Sequence, residues 1–303
     1  MKIAVIDLGT NTFNLLVGEG GDGLRMLHSE EVGVFLGQGI EQGVIAPEAL
    51  ERGMQALAQL AAKARALGAG RIQGFGTSAL RNARNGAAFV ERAQGELGVA
   101  ITVIPGEQEA ELILAGVRQA VPFGARPQLV MDIGGGSIEF ILATDKALMW
   151  KHSFELGVTR LRERFRPADP IPVEEQFRIA EHLDAQLSPL WAVIERHEPH
   201  LLVGSAGSFD TLAAMIAAEQ GAPLPDDAVT LAFDALIFDG LKDHLMTMTR
   251  EERLRVPGLP VYRVDTIALA FIAIERVLAA GGIRELRWSR YALKEGAFAL
   301  TAP

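Results

Sequence analysis

The sequence predicts an α/β protein of two similar domains, each with a mixed sheet flanked by helices. Three observations lead to this fold class: an internal repeat, an alternation of strand and helix patterns, and a length of 303 residues. At about 150 residues per domain, that length provides two hydrophobic cores. We expect the first domain over residues 1–122, completed by a C-terminal helix at about 290–303, and the second over residues 123–289, with a cleft between them.

The internal repeat begins at the N-terminus with a short apolar run that has an acid near its end, followed by a small polar turn. Its first copy has strands at 3–8, 13–17 and 24–27 and turns at 9–12 and 18–23. The second copy follows the same plan over residues 129–152, and Asp132 matches Asp7 at an offset of 132 − 7 = 125. Two such units imply two similar domains that face each other.

Helix patterns fill the spaces between the strands. Helices are expected at 47–67, 107–120, 209–218 and 266–280, and further strands at 71–75, 101–104 and 201–203. Pro47 stands at a favourable helix start, and Gly68 is a typical helix stop. Strands that alternate with helices favour mostly parallel sheets, each with an antiparallel hairpin unit at its start. The stretch 122–127, rich in proline and glycine, is the expected hinge.

The amino-acid composition excludes several classes of function. Because the chain has no cysteine, it has no disulfide, thiolate zinc site, Fe–S cluster or cysteine nucleophile. The net charge of −9 argues against a protein that coats nucleic acid, so no DNA partner is expected. No apolar run reaches the roughly 18 residues of a membrane span, and the N-terminus lacks a signal-peptide pattern. We therefore expect a cytoplasmic protein with no membrane partner.

Glycine-containing loops follow the acids of both repeat copies and suit the binding of phosphate. Glycine lets backbone N–H groups approach an anion closely, and hydroxyl groups add hydrogen bonds. The candidate phosphate ligands are Gly9, Thr10 and Asn11 in the first copy and Gly134, Gly135, Gly136 and Ser137 in the second. The strand acids Asp7 and Asp132 are the candidate ligands of Mg²⁺ or another divalent cation, which proteins commonly hold together with substrate phosphates.

The structural alternatives differ between these loops. A run of three glycines after a buried strand has no common structural reason, which favours function at 134–136. For the first loop, a tight hairpin turn remains an alternative. A third loop at 204–208 joins a strand to a helix, and it is equally typical of an anion site and of a close-packed turn. Its candidate ligands are Gly207 and Ser208.

Carboxylates at two places are candidates for the chemistry itself. Glu107, Glu109 and Glu111 lie at the start of a predicted helix. The helix dipole alone explains Glu107, which leaves Glu109 and Glu111 as candidates for an acid in the cleft. Glu139 follows Ser137 by two residues, beside the second loop, where a carboxylate can orient or activate water.

Arg81 and a cluster of four further arginines each allow two interpretations. Arg81 suits bidentate contact with phosphate, and a surface charge is the alternative. The cluster of Arg160, Arg162, Arg164 and Arg166 favours a solvated helix, and a docking track for a long polyanion is its alternative.

Five sequence stretches occur in an order that is typical of one family. They read DLGTNT at 7–12, TSALR at 77–81, GEQEA at 106–110, DIGGGSIE at 132–139 and SRYALKEG at 289–296. In these stretches, and over essentially its whole length, the sequence resembles the exopolyphosphatase/guanosine pentaphosphate phosphohydrolase (Ppx/GppA) family in its short, two-domain form. The resemblance implies a duplicated actin-like, ribonuclease-H-like fold, which agrees with the internal repeat.

The resemblance also implies roles for individual residues. Glu109 corresponds to the general base that activates water, Glu139 to a second catalytic acid, and Asp132 to a metal-associated acid. The implied phosphate cradle consists of the loops at 9–11 and 134–137 together with Arg81, Gly207 and Ser208.

The sequence therefore predicts hydrolysis of terminal phosphoanhydride bonds in inorganic polyphosphate, at the 5′ γ-phosphate of guanosine pentaphosphate, or both. Two alternatives stay open: an actin-like ATP-dependent kinase, and a regulatory protein that binds polyphosphate or guanosine tetraphosphate. Glu111 and Ile138 keep the regulatory alternative open, since many family members have arginine and threonine there; Lys294 also replaces a common arginine. The sequence does not choose between the two substrates, and it is compatible with a homodimer.

Overall fold

The computed structural model describes residues 1–20, 25–38 and 43–301. The chain folds into two compact units, of which unit 1 is Met1–Gly116 with Tyr291–Pro303 and unit 2 is Val117–Arg290. The division falls after Gly116, inside a helix, whereas the sequence placed it at the stretch 122–127.

Unit 1 is built on a five-stranded mixed sheet. Its strands are β1 (Lys2–Leu8), β2 (Thr12–Glu19), β3 (Arg25–Gly33), β4 (Arg71–Gly76) and β5 (Ala100–Val103). Their order in the sheet is β3-β2-β1-β4-β5. β2 runs antiparallel to both neighbours, while β4 and β5 run parallel to β1. The hairpin predicted at 18–23 falls partly on residues 21–24, which lie outside the described part of the chain.

Four helices follow the strands of unit 1 before the chain enters unit 2. They are α1 (Pro47–Ala66), α2 (Ser78–Asn82), α3 (Gly86–Leu97) and α4 (Gly106–Ala120). Helix α1 begins at the predicted proline and ends before Gly68, whose positive φ of 84° suits glycine. Its apolar face, with Leu57 and Leu60, joins Ile6 and Phe13 of the sheet in one buried core.

Unit 2 repeats this sheet and adds one strand. Its strands are β6 (Gln128–Ile133), β7 (Ile138–Ala143), β8 (Leu148–Phe154), β9 (Leu201–Ser205), β10 (Thr230–Ala232) and β11 (Glu285–Ser289). Their order is β10-β11-β9-β6-β7-β8. The hairpin strands β7 and β8 are antiparallel, β9 and β11 run parallel to β6, and β10 is the additional antiparallel edge strand.

Helices surround the second sheet. They are α5 (Val158–Phe165), α6 (Val173–Gln186), α7 (Ser188–His197), α8 (Ala206–Glu219), α9 (Ala235–Thr247), α10 (Arg250–Arg253) and α11 (Ile267–Gly281), with a 3₁₀ turn at Val261–Arg263. Helix α11, predicted from its long apolar run, packs against α5, α6, α7 and α9, and Phe271 and Ile274 are fully buried in the core. No helix in the described ranges is both long and apolar enough to cross a membrane.

The internal repeat is confirmed at the level of strand register. Asp7 lies opposite Asn14 in the first hairpin, and Asp132 lies opposite Glu139 in the second. Each pair is related to the other by the same offset of 125, since 132 − 7 = 139 − 14 = 125. The two sheets therefore share order, direction and register, and the chain has the predicted duplicated actin-like fold.

The C-terminal helix α12 (Leu293–Thr301) returns to unit 1, where it packs against β1 and β2. It also crosses α4 at a pair of glycines. A Cβ atom on Gly296 would lie 1.8 Å from the Leu112 carbonyl oxygen, and one on Gly116 would lie 1.9 Å from the Ala292 carbonyl oxygen. The two helix backbones are therefore in direct contact, with no room for a side chain between them.

Candidate functional site

Four polar side chains stand in one row across the end of the unit 2 sheet where β6 and β9 finish. From β8 to β9 they are Ser153, Glu139, Asp132 and Ser205, and each lies opposite the next in the strand register. Side chains at the same register position of neighbouring strands project from the same face of the sheet. We call these four residues the acid row.

The two acids of the row are buried and hydrogen bonded. Asp132 is 6 % exposed and Glu139 is 1 % exposed. The Ser205 hydroxyl donates to Asp132 Oδ2 at 2.6 Å, and the Ser153 hydroxyl donates to Glu139 Oε1 at 2.6 Å. These are the short distances of hydroxyl–carboxylate bonds to an ionised acid, and burial of a carboxylate requires such partners.

The loop between β6 and β7 is held by its carbonyl oxygens. Three N–H groups at the start of α5 donate to consecutive carbonyls, from Gly157 to Gly136 at 3.2 Å, from Val158 to Gly134 at 3.1 Å and from Thr159 to Gly135 at 2.9 Å. The C=O and N–H groups of a trans peptide point in opposite directions. The N–H groups that follow these three carbonyls, those of residues 135–137, therefore point away from α5.

This geometry is what an anion cradle needs. Three consecutive N–H groups on one side of a loop form a concave site of positive partial charge. Arg160, which the sequence placed on a solvated helix, instead supports the loop, because its Nε donates to the Gly136 carbonyl at 2.8 Å and its Nη2 pairs with Glu155 at 2.8 Å. The remaining arginines of the cluster, Arg162, Arg164 and Arg166, are exposed, as a solvated helix predicts.

Gly157 fixes the position of this loop against α5. A Cβ atom on Gly157 would lie 2.3 Å from the Gly135 carbonyl carbon and 2.4 Å from the Gly136 nitrogen. We expect Gly157→Ala to push the loop away from α5 and to raise the KM for a phosphate-chain substrate about tenfold, since overpacking typically costs about 1–3 kcal/mol. Gly124→Ala is the matched control, because nothing lies within 4 Å of its added Cβ. Equal KM values for the two variants would contradict this prediction.

The first-copy loop is anchored in the same way. The Gly37 N–H donates to the Thr10 carbonyl at 3.1 Å, and the Val34 N–H donates to the Asn11 carbonyl at 2.7 Å. The following N–H groups, those of Asn11 and Thr12, therefore point away from the segment at 34–37. The tight hairpin turn that was the alternative is also present, because the Gly9 N–H donates to the Thr12 carbonyl at 3.0 Å. The first-copy loop is therefore anchored through its carbonyl oxygens and also closed by the hydrogen bond of a tight hairpin turn.

Asp7, the predicted metal-binding acid of unit 1, lies beside this loop. Its neighbour is the amide side chain of Asn14 rather than a second acid. Asn14 Nδ2 donates to Asp7 Oδ2 at 3.4 Å and to Thr12 Oγ1 at 3.3 Å. At the positions that correspond to Ser153 and Ser205, unit 1 has Glu31 and Phe75. The two copies of the row therefore differ in chemistry although their backbones correspond.

Glu109 and Arg81 form a buried ion pair in unit 1. Arg81 Nη1 donates to Glu109 Oε2 at 2.7 Å and to the Ile104 carbonyl at 3.1 Å. Glu109 is 7 % exposed, whereas Glu107 and Glu111 on the same helix are exposed. The interpretation of Arg81 as a surface charge is therefore wrong. The hydrogen bond from Arg81 holds the Glu109 carboxylate in one orientation.

The third glycine loop leads into α8 and is in contact with an arginine that sequence reasoning missed. A Cβ atom on Gly207 would lie 1.8 Å from Arg263 Nη2, so the guanidinium rests directly on this glycine. Arg263 also lies over the Tyr262 ring, 5.2 Å from its centroid. The predicted ligand Ser208 donates its hydroxyl to the Ile133 carbonyl at 3.3 Å. The helix N-terminus and the guanidinium together give this loop positive charge.

The donor set of the acid row fits a hard divalent cation. Its ligand atoms are carboxylate and hydroxyl oxygens, the type that Mg²⁺ prefers, and Mg²⁺ is usually held by one or two carboxylates together with substrate phosphates. The described residues contain no cluster of three or more His, Asp or Glu side chains that would hold a metal ion alone. A cation at Asp132 would take its remaining ligands from water and substrate oxygen atoms.

Within each unit, the structure brings several of the predicted site residues together. Unit 2 joins Asp132 and Glu139 to the loop at 134–137, and unit 1 joins Arg81 to Glu109. Ser153, Ser205 and Arg263 complete these groups and were missed, because no local motif marks a lone serine or arginine whose partner is on another strand or loop.

Comparison with known proteins places this chain in one family. The sequence matches the Ppx/GppA phosphatase family over residues 16–302. The crystal structure of an exopolyphosphatase from Cytophaga hutchinsonii is similar with a TM-score of 0.94 and 36 % identity, covering 98 % of this chain and 96 % of that one.

Two mycobacterial proteins are similar over comparable lengths. Exopolyphosphatase 2 of Mycobacterium tuberculosis is 29 % identical over 313 residues, covering 97 % of this chain and 97 % of that protein. Exopolyphosphatase 1 of Mycobacterium leprae is 28 % identical over 303 residues, covering 98 % of this chain and 88 % of that protein. Because the family match and the structural similarity both extend over nearly the whole chain, this protein belongs to the Ppx/GppA phosphatase family.

Proposed function

We propose that this protein releases orthophosphate from the end of inorganic polyphosphate, with the 5′ γ-phosphate of guanosine pentaphosphate as a second substrate of the same chemistry. Membership of the family makes the chain a phosphoanhydride hydrolase. Polyphosphate is the first choice because the similar proteins in Cytophaga and Mycobacterium are named exopolyphosphatases. The observation that carries the proposal is the loop at 134–137, whose carbonyls are bound by α5 and whose N–H groups point the other way.

In this proposal the loop binds the phosphoryl group that is transferred. Charge on the non-bridging oxygens is stabilised by the N–H groups of 135–137 and by the Ser137 hydroxyl. The loop at 9–11 and the residues Gly207 and Ser208 bind neighbouring phosphates. Because α5 already holds the loop in place, its dipoles need no reorganisation when the substrate arrives, and such preorganised electrostatics is the main catalytic term in phosphoryl transfer.

A divalent cation, Mg²⁺ in the first instance, would be held by Asp132 together with the substrate phosphates, and it would supply positive charge to the phosphate oxygens. Asp7 is the second carboxylate that we propose for cation binding. Glu139, adjacent to Asp132 in the acid row, is proposed as the second catalytic acid, which orients the attacking water.

Glu109 is proposed as the general base. It accepts a proton from the water as the water attacks the terminal phosphorus in line with the leaving oxygen. Its contact with Arg81 supports this role, since the hydrogen bond of 2.7 Å holds the carboxylate in one orientation. Arg81 is also proposed as a ligand of a substrate phosphate.

The test is release of orthophosphate by the purified protein from polyphosphates of several lengths, guanosine pentaphosphate and ATP. We expect release from polyphosphate with Mg²⁺, and a decrease of roughly 10²-fold when EDTA removes the cation, the size of effect seen when one electrostatic stabiliser is lost. Binding of polyphosphate with no release under any divalent cation would contradict hydrolysis and favour a regulatory protein. Turnover of ATP without cleavage of polyphosphate would favour a kinase.

A further inference from the structure

We propose that Ser153 and Ser205 are positioning residues that hold the two carboxylates of the acid row. This inference rests on the proposed function for the meaning of the two acids, but its geometry stands by itself. Ser205 donates to Asp132 and Ser153 donates to Glu139, both at 2.6 Å. Ser205 is the last residue of β9, where the third glycine loop begins, and Ser153 lies on β8, outside every glycine loop.

The arrangement of the row explains what the serines do. Asp132 and Glu139 are neighbours across β6 and β7, and each has its serine on the side away from the other acid. Two adjacent buried carboxylates repel each other when both are ionised. A hydroxyl donor on each outer side stabilises both negative charges and fixes the rotation of each carboxylate group.

The burial of Ser205 strengthens this argument. Its side chain has no exposed surface, and a buried hydroxyl needs a hydrogen-bond partner. The partner that the fold supplies is an acid on the neighbouring strand rather than a backbone carbonyl of its own loop. Ser153 is half-buried on the edge strand β8, and serine has little intrinsic preference for strand structure. Both serines therefore stand where a strand alone would favour another residue.

The first copy of the row provides an internal comparison. Unit 1 has the same strand register, but Asn14 replaces the second acid, and Glu31 and Phe75 stand at the two serine positions. The fold therefore forms without hydroxyl groups at these places. The two serines are present in the unit that has two adjacent carboxylates. This indicates that the serines support the acids rather than the sheet.

Ser205 is tested by cation binding, which needs no turnover. Mn²⁺ binding in the presence of pyrophosphate, measured by electron paramagnetic resonance, should weaken about tenfold in Ser205→Ala, the lower end of the effect of losing a group that orients a metal ligand. Ser205→Cys, which keeps the volume with a weaker donor, should give an intermediate loss. Ser29→Ala, at an exposed serine of a strand in unit 1, should bind Mn²⁺ as the unmodified protein does. Unchanged Mn²⁺ affinity in Ser205→Ala would overturn the role of Ser205.

Ser153 is tested by the separation of kcat from KM. Ser153→Ala should lower kcat for polyphosphate about tenfold with KM changed less than about twofold, because orientation of Glu139 matters in the transition state rather than in substrate binding. Ser153→Thr keeps the hydroxyl and should restore most of kcat. An unchanged kcat in Ser153→Ala, or no recovery in Ser153→Thr, would overturn the role of Ser153. If the unmodified protein releases no phosphate, the proposed function fails, and the Mn²⁺ measurement still decides on Ser205.

Discussion

Replacing Glu109 with glutamine should lower the rate of phosphate release from polyphosphate by about 10²–10⁴-fold, the usual contribution of a general base. Glutamine keeps the size and a hydrogen-bonding oxygen of the side chain but cannot accept a proton at neutral pH. Because the oxygen can still accept a hydrogen bond from Arg81, which in the unmodified protein spans 2.7 Å, the local packing should change little. The loss should therefore appear in kcat, with a smaller change in KM.

Two neighbouring acids provide the controls for this experiment. Glu107 and Glu111 lie on the same helix and are exposed, so Glu107→Gln and Glu111→Gln remove the same charge without touching the ion pair. Both should release phosphate at close to the unmodified rate. Thermal unfolding of all three variants separates loss of the base from loss of the fold. Full activity in Glu109→Gln would remove Glu109 from the mechanism.

The second large effect is expected where α4 and α12 cross. Gly296→Ala would place a Cβ atom 1.8 Å from the Leu112 carbonyl oxygen and 2.9 Å from the Gly116 nitrogen, and both of these are backbone atoms that cannot rotate away. The helices must separate, which typically costs about 1–3 kcal/mol and more when backbone has to move. In a domain of this size each kcal/mol lowers the unfolding temperature by roughly 2–4 °C.

A second helical glycine isolates the steric part of this effect. Gly240 lies within α9, and nothing is within 4 Å of a Cβ atom added there. Alanine in place of a helical glycine favours the helix by up to about 1 kcal/mol, so Gly240→Ala should leave stability unchanged or raise it. Gly296→Ala gains the same propensity and should still be less stable, as measured by thermal unfolding. An equal or higher unfolding temperature for Gly296→Ala would show that the helices adjust freely.

The sequence was most informative where it repeats. The offset of 125 predicted that Asp7 and Asp132 stand near the ends of equivalent strands, and the register confirms it. The first-turn position of Glu109 was also visible. Its selection over Glu111 was left open, since the residues alone did not show which of the two acids the fold covers, and burial separates them.

Contacts between distant segments were the part that the sequence could not predict. Ser205 and Asp132 are 73 positions apart, and their hydrogen bond exists only because β6 and β9 are neighbours in the sheet. The placement of Arg263 on Gly207 depends on how a short 3₁₀ turn packs against α8. Arg160 has the charge of a surface residue, but its Nε donates a second hydrogen bond to the Gly136 carbonyl, which also accepts from the Gly157 N–H.

The acid row of unit 2 has a counterpart in unit 1, and this correspondence has a consequence for how new chemistry can arise in this architecture. One backbone ladder carries Glu31, Asn14, Asp7 and Phe75, and its twin carries Ser153, Glu139, Asp132 and Ser205. The same sheet architecture accepts an acid, an amide, an aromatic ring or a hydroxyl at these positions, so the fold does not require the side chains that unit 2 has there. Substitutions at these positions in one unit could therefore alter selectivity, while the other unit and both sheets remain unchanged.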